Sequence, residues 1–374
     1  MLPDPPPPLP SLPASTAYTL LILYALGYFV PFYLSRTTRP SFTLSRDAPS
    51  VIRARIRSVT LSCLVCSVVT FFVLLRAGNG DGNSNGGKVV SGKDALHLMG
   101  LWPVGVWETV RAVGLTAVLF AGPLYSYLLV DRGWKDWARL APVTEVWGEW
   151  TTFRNIVAGP ITEEILFRTA SIPLALLSPP STSPPSPTKI ILLTPILFGL
   201  AHVHHFYEFR LTHPHVPIAH ALIRSAFQFA YTTLFGAYAT FLFLRTGSLV
   251  AVCAVHAFCN CMGLPQVWGR VEPEVIYEEE QEEGPVTGAG VPVLAGGDAS
   301  GGGGDGGNTG EGYGATDTGT GPGTGRTFSR VRSRPSILWT VAYYTLLVGG
   351  AVGWYRNLWT LSESGNALVP SSAF

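Results

Sequence analysis

The sequence predicts an all-α fold: a polytopic membrane protein built as a bundle of about eight transmembrane helices. Three observations lead there. Hydrophobic residues make up 47% of the 374-residue chain and charged residues only 13%, about half the usual quarter of a soluble domain. Mean hydropathy is +0.29, leaving too few charges to coat a water-exposed surface. The apolar residues also gather into runs of about 18–20, the length needed to cross a bilayer as a helix. Disordered and acidic-tail classes are excluded on the same grounds. A net charge of +1 gives no electrostatic footprint for nucleic acid, which is not expected as a partner.

The elements follow in chain order. Residues 1–16 read as a Pro-rich tail, because Pro5–Pro8 cannot start a core. The tail lacks a basic start and an Ala-x-Ala site, so no signal peptide is expected. Segments 17–34, 58–75, 112–130, 225–244 and 337–354 are free of formal charge. Segment 246–269 adds one histidine and 190–207 adds three. Segment 152–177 is helical in pattern yet holds Arg154, Glu163, Glu164 and Arg168. Together these make a membrane core over 17–269, with the chemically interesting helices in 152–269. A Ser/Pro-rich loop lies at 178–187. Residues 270–335 read as a disordered Gly-rich linker, and the acidic run 278–283 within it as solvated charge. The last transmembrane helix is expected at 336–357, followed by a C-terminal tail at 358–374.

Charge asymmetry suggests an orientation. Arg36, Arg39, Arg46, Arg53, Arg55 and Arg57 lie between the first two spans, opposed by Asp47, and Arg326, Arg330, Arg332 and Arg334 precede the last span. Positive residues mark the cytosolic side, and eight crossings put both clusters there if the N-terminus is luminal. Five cysteines without framework spacing imply no disulfide scaffold. Cys63 and Cys66, inside an apolar span, read as small core residues.

Ionisable groups within spans default to functional candidates, and three segments carry them. Glu163 and Glu164 are adjacent, so they point about 100° apart on a helix. Glu164 can pair with Arg168 at i, i+4, which leaves Glu163 without its own cation and available as a general base or acid. A purely structural cluster of both acids is the competing reading. His202 follows Phe198 by four residues near the end of its span. His256 and Asn260 share one helix face at i, i+4, a plausible pair of hydrogen-bond donors to an oxyanion. Cys259 beside them admits a thiol nucleophile. On the assigned topology Glu163, His202 and His256 reach one depth, in the cytosolic half of the bilayer.

The ordered set Glu163-Glu164-x-x-x-Arg168, Phe198-x-x-x-His202 and His256-x-x-x-Asn260 resembles the CAAX prenyl endopeptidase family, type II, the Ras-converting glutamate proteases of the endoplasmic reticulum. Arg154-Asn155, the run Phe-Leu-Arg-Thr-Gly at 243–247 and Asn-Cys-Met-Gly-Leu-Pro at 260–265 agree with it. The resemblance covers roughly 154–265. It implies an endoplasmic reticulum membrane protease, its site open to the cytosol, that removes the last three residues of farnesylated or geranylgeranylated Cys-a-a-X proteins such as Ras-like GTPases. It implies that Glu163 and His202 activate the attacking water, that His256 and Asn260 stabilise the oxyanion, and that Glu164 and Arg168 support them. No metal or other cofactor is expected. Two alternatives stay open: an intramembrane zinc protease with His202 and His256 as ligands and Glu163 as ligand or base, and a non-catalytic membrane protein that binds prenylated peptides.

Overall fold

The structure, a computed structural model, describes residues 12–39, 41, 45–79, 90–178, 186–272 and 336–374. Helices and turns account for these residues, with no strand among them. The main elements are α1 (Ala14–Phe29), α2 (Pro49–Asn79), α3 (Val106–Leu119), α4 (Pro187–Ala201), α5 (Ile218–Thr246), α6 (Leu249–Met262) and α7 (Ile337–Leu361). A helical run over 150–176 lies between α3 and α4 and is broken in character.

Each long helix shows which side faces the bundle. On α2 the residues Val59, Cys63, Cys66, Thr70 and Leu74 are buried, a stripe at the three- and four-residue spacing of one helix face. The two cysteines are thus core residues, and Cys63 Sγ donates to the Thr162 carbonyl at 3.1 Å. The other face of α2 exposes Leu61, Leu64, Val65, Val68 and Phe72. A soluble protein would not present such a surface; in a bilayer it is the lipid-facing side.

Among the described residues, four helices are able by length and hydropathy to span a membrane: 49–77, 187–212, 218–246 and 337–361. A fifth span results if Val106–Leu119 and Ala121–Val130, bent by 83°, are counted together. The expected count of about eight is therefore not reached on this measure, for three reasons. Helix α1 has 16 residues and α6 has 14, about 24 and 21 Å long at 1.5 Å per residue, against a hydrocarbon core of roughly 30 Å. The 150–176 run is interrupted and carries charge.

Two apolar clusters form the interior. One joins α1, α2 and α4; the other joins α3, α5 and α6. The 150–176 run serves both, giving Leu166, Phe167, Ala170 and Leu174 to the first and Ile172 and Leu176 to the second. It is thus the central element, packed on several sides. Two stretches of it, Arg154–Ala158 and Ile165–Ala170, are π-helical. Each lies just ahead of a proline, Pro160 or Pro173. A proline lacks the N–H for the i−4 bond and its ring crowds the preceding turn; widening that turn relieves the conflict. The Gly159 N–H reaches back five residues to the Arg154 carbonyl, and Ser171 Oγ donates to the Leu166 carbonyl at 2.7 Å.

Small residues bring α4 and α5 together. A Cβ on Gly199 would clash with Thr233 Oγ1, and one on Gly236 would meet Pro195 Cβ at 2.9 Å. Gly247, at φ +60°, closes α5. Ser248 then caps α6, accepting from the Ala251 N–H. After α7 the chain folds back rather than trailing away. The Leu368 N–H donates to the Leu244 carbonyl at 2.9 Å, and Arg245 donates to Ser362 Oγ, to the Trp359 carbonyl and to Ser371 Oγ. Most of the expected N-terminal tail and Gly-rich linker, 1–11 and 273–335, falls outside the described residues. Residues 14–16 already belong to α1.

Candidate active site

Glu163 sits between the two π-helical stretches, at the end of the short α-helical turn Gly159–Glu164. Its Oε2 lies 4.0 Å from His202 Nε2 and 3.7 Å from His256 Nε2. The three residues come from three separate segments and meet at one point. These gaps exceed a hydrogen bond and are of the size at which a water between the groups must be considered. Tyr28, from α1, donates its hydroxyl to Glu163 Oε1 at 3.3 Å. The sequence reading missed this contact, since a tyrosine in an apolar run carries no spacing signal.

The spacing Phe198-x-x-x-His202 has a structural reason. His202 is the C-cap of α4, where the last carbonyls have no helical partner. Its Nδ1 meets the Phe198 carbonyl at 2.8 Å. An Nδ1–H donated to that carbonyl leaves Nε2 toward Glu163. The Phe198 ring packs edge-on against His202, with centroids 4.7 Å apart, and the Arg168 guanidinium carbon lies 4.8 Å from the same Phe198 ring's centroid.

Glu164 points elsewhere, as the 100° step requires. It is completely buried. Its Oε1 accepts from His256 Nδ1 at 2.7 Å and from Arg168 at 3.2 Å, and Arg168 Nε lies 3.1 Å from its Oε2. Arg168 also donates to the Gly236 carbonyl at 3.1 Å. A carboxylate on Nδ1 fixes the orientation of the ring, so His256 too presents Nε2 to Glu163. The i, i+4 pair read from sequence is present, and it reaches across to α6, which the sequence did not disclose. Asn260, one turn past His256, donates Nδ2–H to the Asn155 carbonyl of the first π stretch at 2.8 Å.

A cavity of about 1100 Å³ contains the meeting point, at the upper end of usual ligand pockets (about 300–1,000 Å³). Glu163 is the one carboxylate among its described lining residues. Part of the wall is apolar, including Phe120, Phe241, Trp354 and Leu358. Another part is basic, with Arg46, Arg55 and Arg154. Asp47 accepts from Arg154 at 2.7 Å and lies 3.6 Å from Arg46. Burial opposes its ionisation, but the two guanidiniums outweigh it and hold its carboxyl below the ordinary 3.8.

Ligand atoms of His204, His205 and Glu208 lie within 4.8 Å of one another. This group suits a metal poorly, because Glu208 already pairs with Arg55 at 2.7 Å and Arg46 at 3.3 Å, and those cations would face the ion. Glu163, His202 and His256 offer the same donor types, with Glu163 Oε2 4.0 and 3.7 Å from the two Nε2 atoms and no described arginine paired to that carboxylate. Cys259 lines the same cavity.

A helical, multi-pass membrane protein with a carboxylate and two imidazoles converging at an internal cavity is a small class. Sequence comparison narrows it. Residues 145–262 match the family described as type II CAAX prenyl endopeptidase Rce1-like. The chain is 34% identical over 254 residues to the probable CAAX prenyl protease 2 of Schizosaccharomyces pombe, covering 68% of this chain and 83% of the relative. It is 35% identical over 242 residues to the human CAAX prenyl protease 2, covering 61% and 66%, and 39% identical over 226 residues to that of Caenorhabditis elegans, covering 59% and 74%. The chain belongs to the type II CAAX prenyl endopeptidase family. No solved structure matches it.

Proposed function

We propose that this chain is an intramembrane endopeptidase that releases the C-terminal -aaX tripeptide from farnesylated or geranylgeranylated CaaX proteins, using water activated by Glu163 and His202. The observation that carries the reading is the approach of His202 Nε2 and His256 Nε2 to one oxygen pair, that of Glu163, inside a cavity with both apolar and polar walls. The names of the relatives supply the substrate class.

The steps balance as follows. Water lying against Glu163 and His202 attacks the carbonyl carbon after the prenylated cysteine and gives its proton to the carboxylate. Negative charge develops on the former carbonyl oxygen. His256 Nε2, when the ring carries both protons, and the second N–H of the Asn260 amide donate to it. Glu164 holds the His256 ring, and Arg168 holds Glu164. The C–N bond then breaks, the leaving amine takes the proton from Glu163, and a prenylcysteine carboxylate and a tripeptide remain. The prenyl chain occupies the apolar wall. Residues 17–269 form the membrane core, with the catalytic helices in 152–269, and 336–357 add the last transmembrane helix. The membrane is that of the endoplasmic reticulum, with the cavity open to the cytosol and Ras-like GTPases among the substrates. The family resemblance and the arginine clusters support these last assignments.

A cleavage assay on a farnesylated Cys-a-a-X peptide tests the proposal. Wild type should release the tripeptide. Glu163→Gln should lose about 10²–10⁴-fold in rate, the usual contribution of a positioned general base. Retained activity in that variant would overturn the assignment.

A further inference from the structure

The arginines of residues 36–57 read from sequence as a marker of membrane sidedness. Three cations of this region, Arg46 and Arg55 with Arg154 beside them, face the cavity. Their acidic partners do not: neither Asp47 nor Glu208 lines it, Glu208 being buried at 2% exposed and Asp47 half-exposed outside it. The cavity therefore meets a net positive surface on this side, and it lies on the His202 side of the meeting point. The His205 ring is 5.9 Å from the His202 ring, and Arg46 Nη1 is 3.4 Å from His205 Nδ1.

The three cations are not held alike. Arg55 is 12% exposed in its side chain, pairs with Glu208 at 2.7 Å, and donates Nε–H to the Thr38 carbonyl at 3.0 Å. Arg154 is 25% exposed and donates to Asp47 at 2.7 Å and to Asn155 at 2.9 Å. Arg46 is 38% exposed, and its contacts to Glu208 and Asp47 are longer, at 3.3 and 3.6 Å. It is the guanidinium best able to turn toward an incoming anion.

The proposed substrate brings one anion at a fixed place. The tripeptide leaves with a free α-carboxylate three residues beyond the cleaved bond, and three extended residues span at most about 10–11 Å. Successive contacts of 4.0 Å, 5.9 Å between rings and 3.4 Å lead from Glu163 through His202 and His205 to Arg46, a path longer than the tripeptide alone and within its reach once a contact distance is added at each end. We propose that Arg46 receives the C-terminal carboxylate of the -aaX tripeptide, with Arg55 and Glu208 holding the wall behind it, so that the site measures the distance from chain end to scissile bond. This inference rests on the endopeptidase reading above. It explains how an apolar cavity selects a chain terminus: a guanidinium in partly desolvated surroundings pairs bidentately with a carboxylate and has no partner in an internal peptide segment.

The test compares two farnesylated Cys-a-a-X peptides, one ending in the free acid and one in the carboxamide. Wild type should prefer the acid in kcat/KM by about tenfold or more, mainly through KM, as expected for loss of a partly buried charge contact. Arg46→Gln should collapse that ratio toward one, and Arg46→Lys should recover part of it. Equal cleavage of acid and amide by wild type, which needs no variant to fold, would overturn the inference while leaving the endopeptidase reading intact. A ratio unchanged in Arg46→Gln would overturn the assignment to Arg46. Cleavage of neither peptide would fell both readings together.

Discussion

Glu164 and Glu163 are neighbours in sequence and opposites in environment. Glu164 has no solvent exposure and is held by Arg168 and His256; Glu163 faces the cavity with 17% of its side chain exposed. Breaking a buried pair by removing one partner typically costs about 3–5 kcal/mol. Arg168→Met should therefore lower the thermal unfolding temperature in detergent sharply. The double variant Glu164→Gln with Arg168→Met should recover much of that stability. It should not recover cleavage, because His256 then lacks the carboxylate that fixes its ring. Full cleavage by the double variant would remove Glu164 from the positioning role. Tyr28→Phe should lower kcat several-fold, about the worth of one hydrogen bond of roughly 0.5–1.5 kcal/mol, and leave the unfolding temperature within a few degrees. At this scale the sequence exposed the Glu164–Arg168 pair, the Phe198–His202 spacing and the His256–Asn260 face, since all three are local. It did not expose Tyr28, because that contact joins α1 to a residue 135 positions away.

Among the elements, the 150–176 run holds Glu163 and Glu164 and is irregular. Two π-helical stretches rotate the turn between them, and each answers to a proline legible in the sequence. The consequence of those prolines for the direction of Glu163 was not legible, since a proline can equally end or kink a helix. The α4–α5 contact has a similar character. A Cβ at Gly236 would lie 2.9 Å from Pro195 and 3.1 Å from Phe198. Gly236→Val should thus cost about 1–3 kcal/mol by overpacking and displace Phe198, on which His202 rests. Both the unfolding temperature and the cleavage rate should fall. The Asp47–Arg154 contact ties residues 45–48 to the first π stretch. Its pH dependence has a definite sign. The folded-state carboxyl is held below 3.8, so its contribution is complete above that value and is lost as pH falls through the lowered one. Asp47→Asn should flatten the acid limb of a stability–pH curve, and it should leave the curve unchanged above about pH 5 in shape.

For the whole molecule, the bundle closes at its end through Arg245, which holds the Trp359 carbonyl, Ser362 and Ser371 and stacks over the Trp359 ring at 5.3 Å. Arg245→Ala should free the chain after α7 and destabilise the protein by about 2–5 kcal/mol, the cost of stranding several buried polar partners; accelerated proteolysis within 362–374 would report it. The metal question is also settled only on the intact protein. Under the water mechanism, cleavage should persist after treatment with a strong chelator. Under the zinc alternative, with His202 and His256 as ligands, cleavage should vanish on chelation and return with added zinc. Loss and zinc-dependent recovery would reassign Glu163, His202 and His256.

From its residues alone this chain reads as helical and membrane-embedded: charges are few, and its apolar runs of about 18–20 residues match a membrane-crossing helix rather than a barrel strand of about 9–11. Glu163, His202, His256 and Asn260 also stood out as candidates, because charged and polar side chains are conspicuous against an apolar background. Only the folded arrangement decided which apolar segments are long enough to cross, since hydropathy does not register where a helix breaks. It alone decided that Glu164 turns to His256, that Tyr28 reaches Glu163, and that Arg46 and Arg55 face a cavity. Each of these joins segments far apart in sequence. Periodicity describes one helix at a time, whereas side-chain packing determines which faces meet.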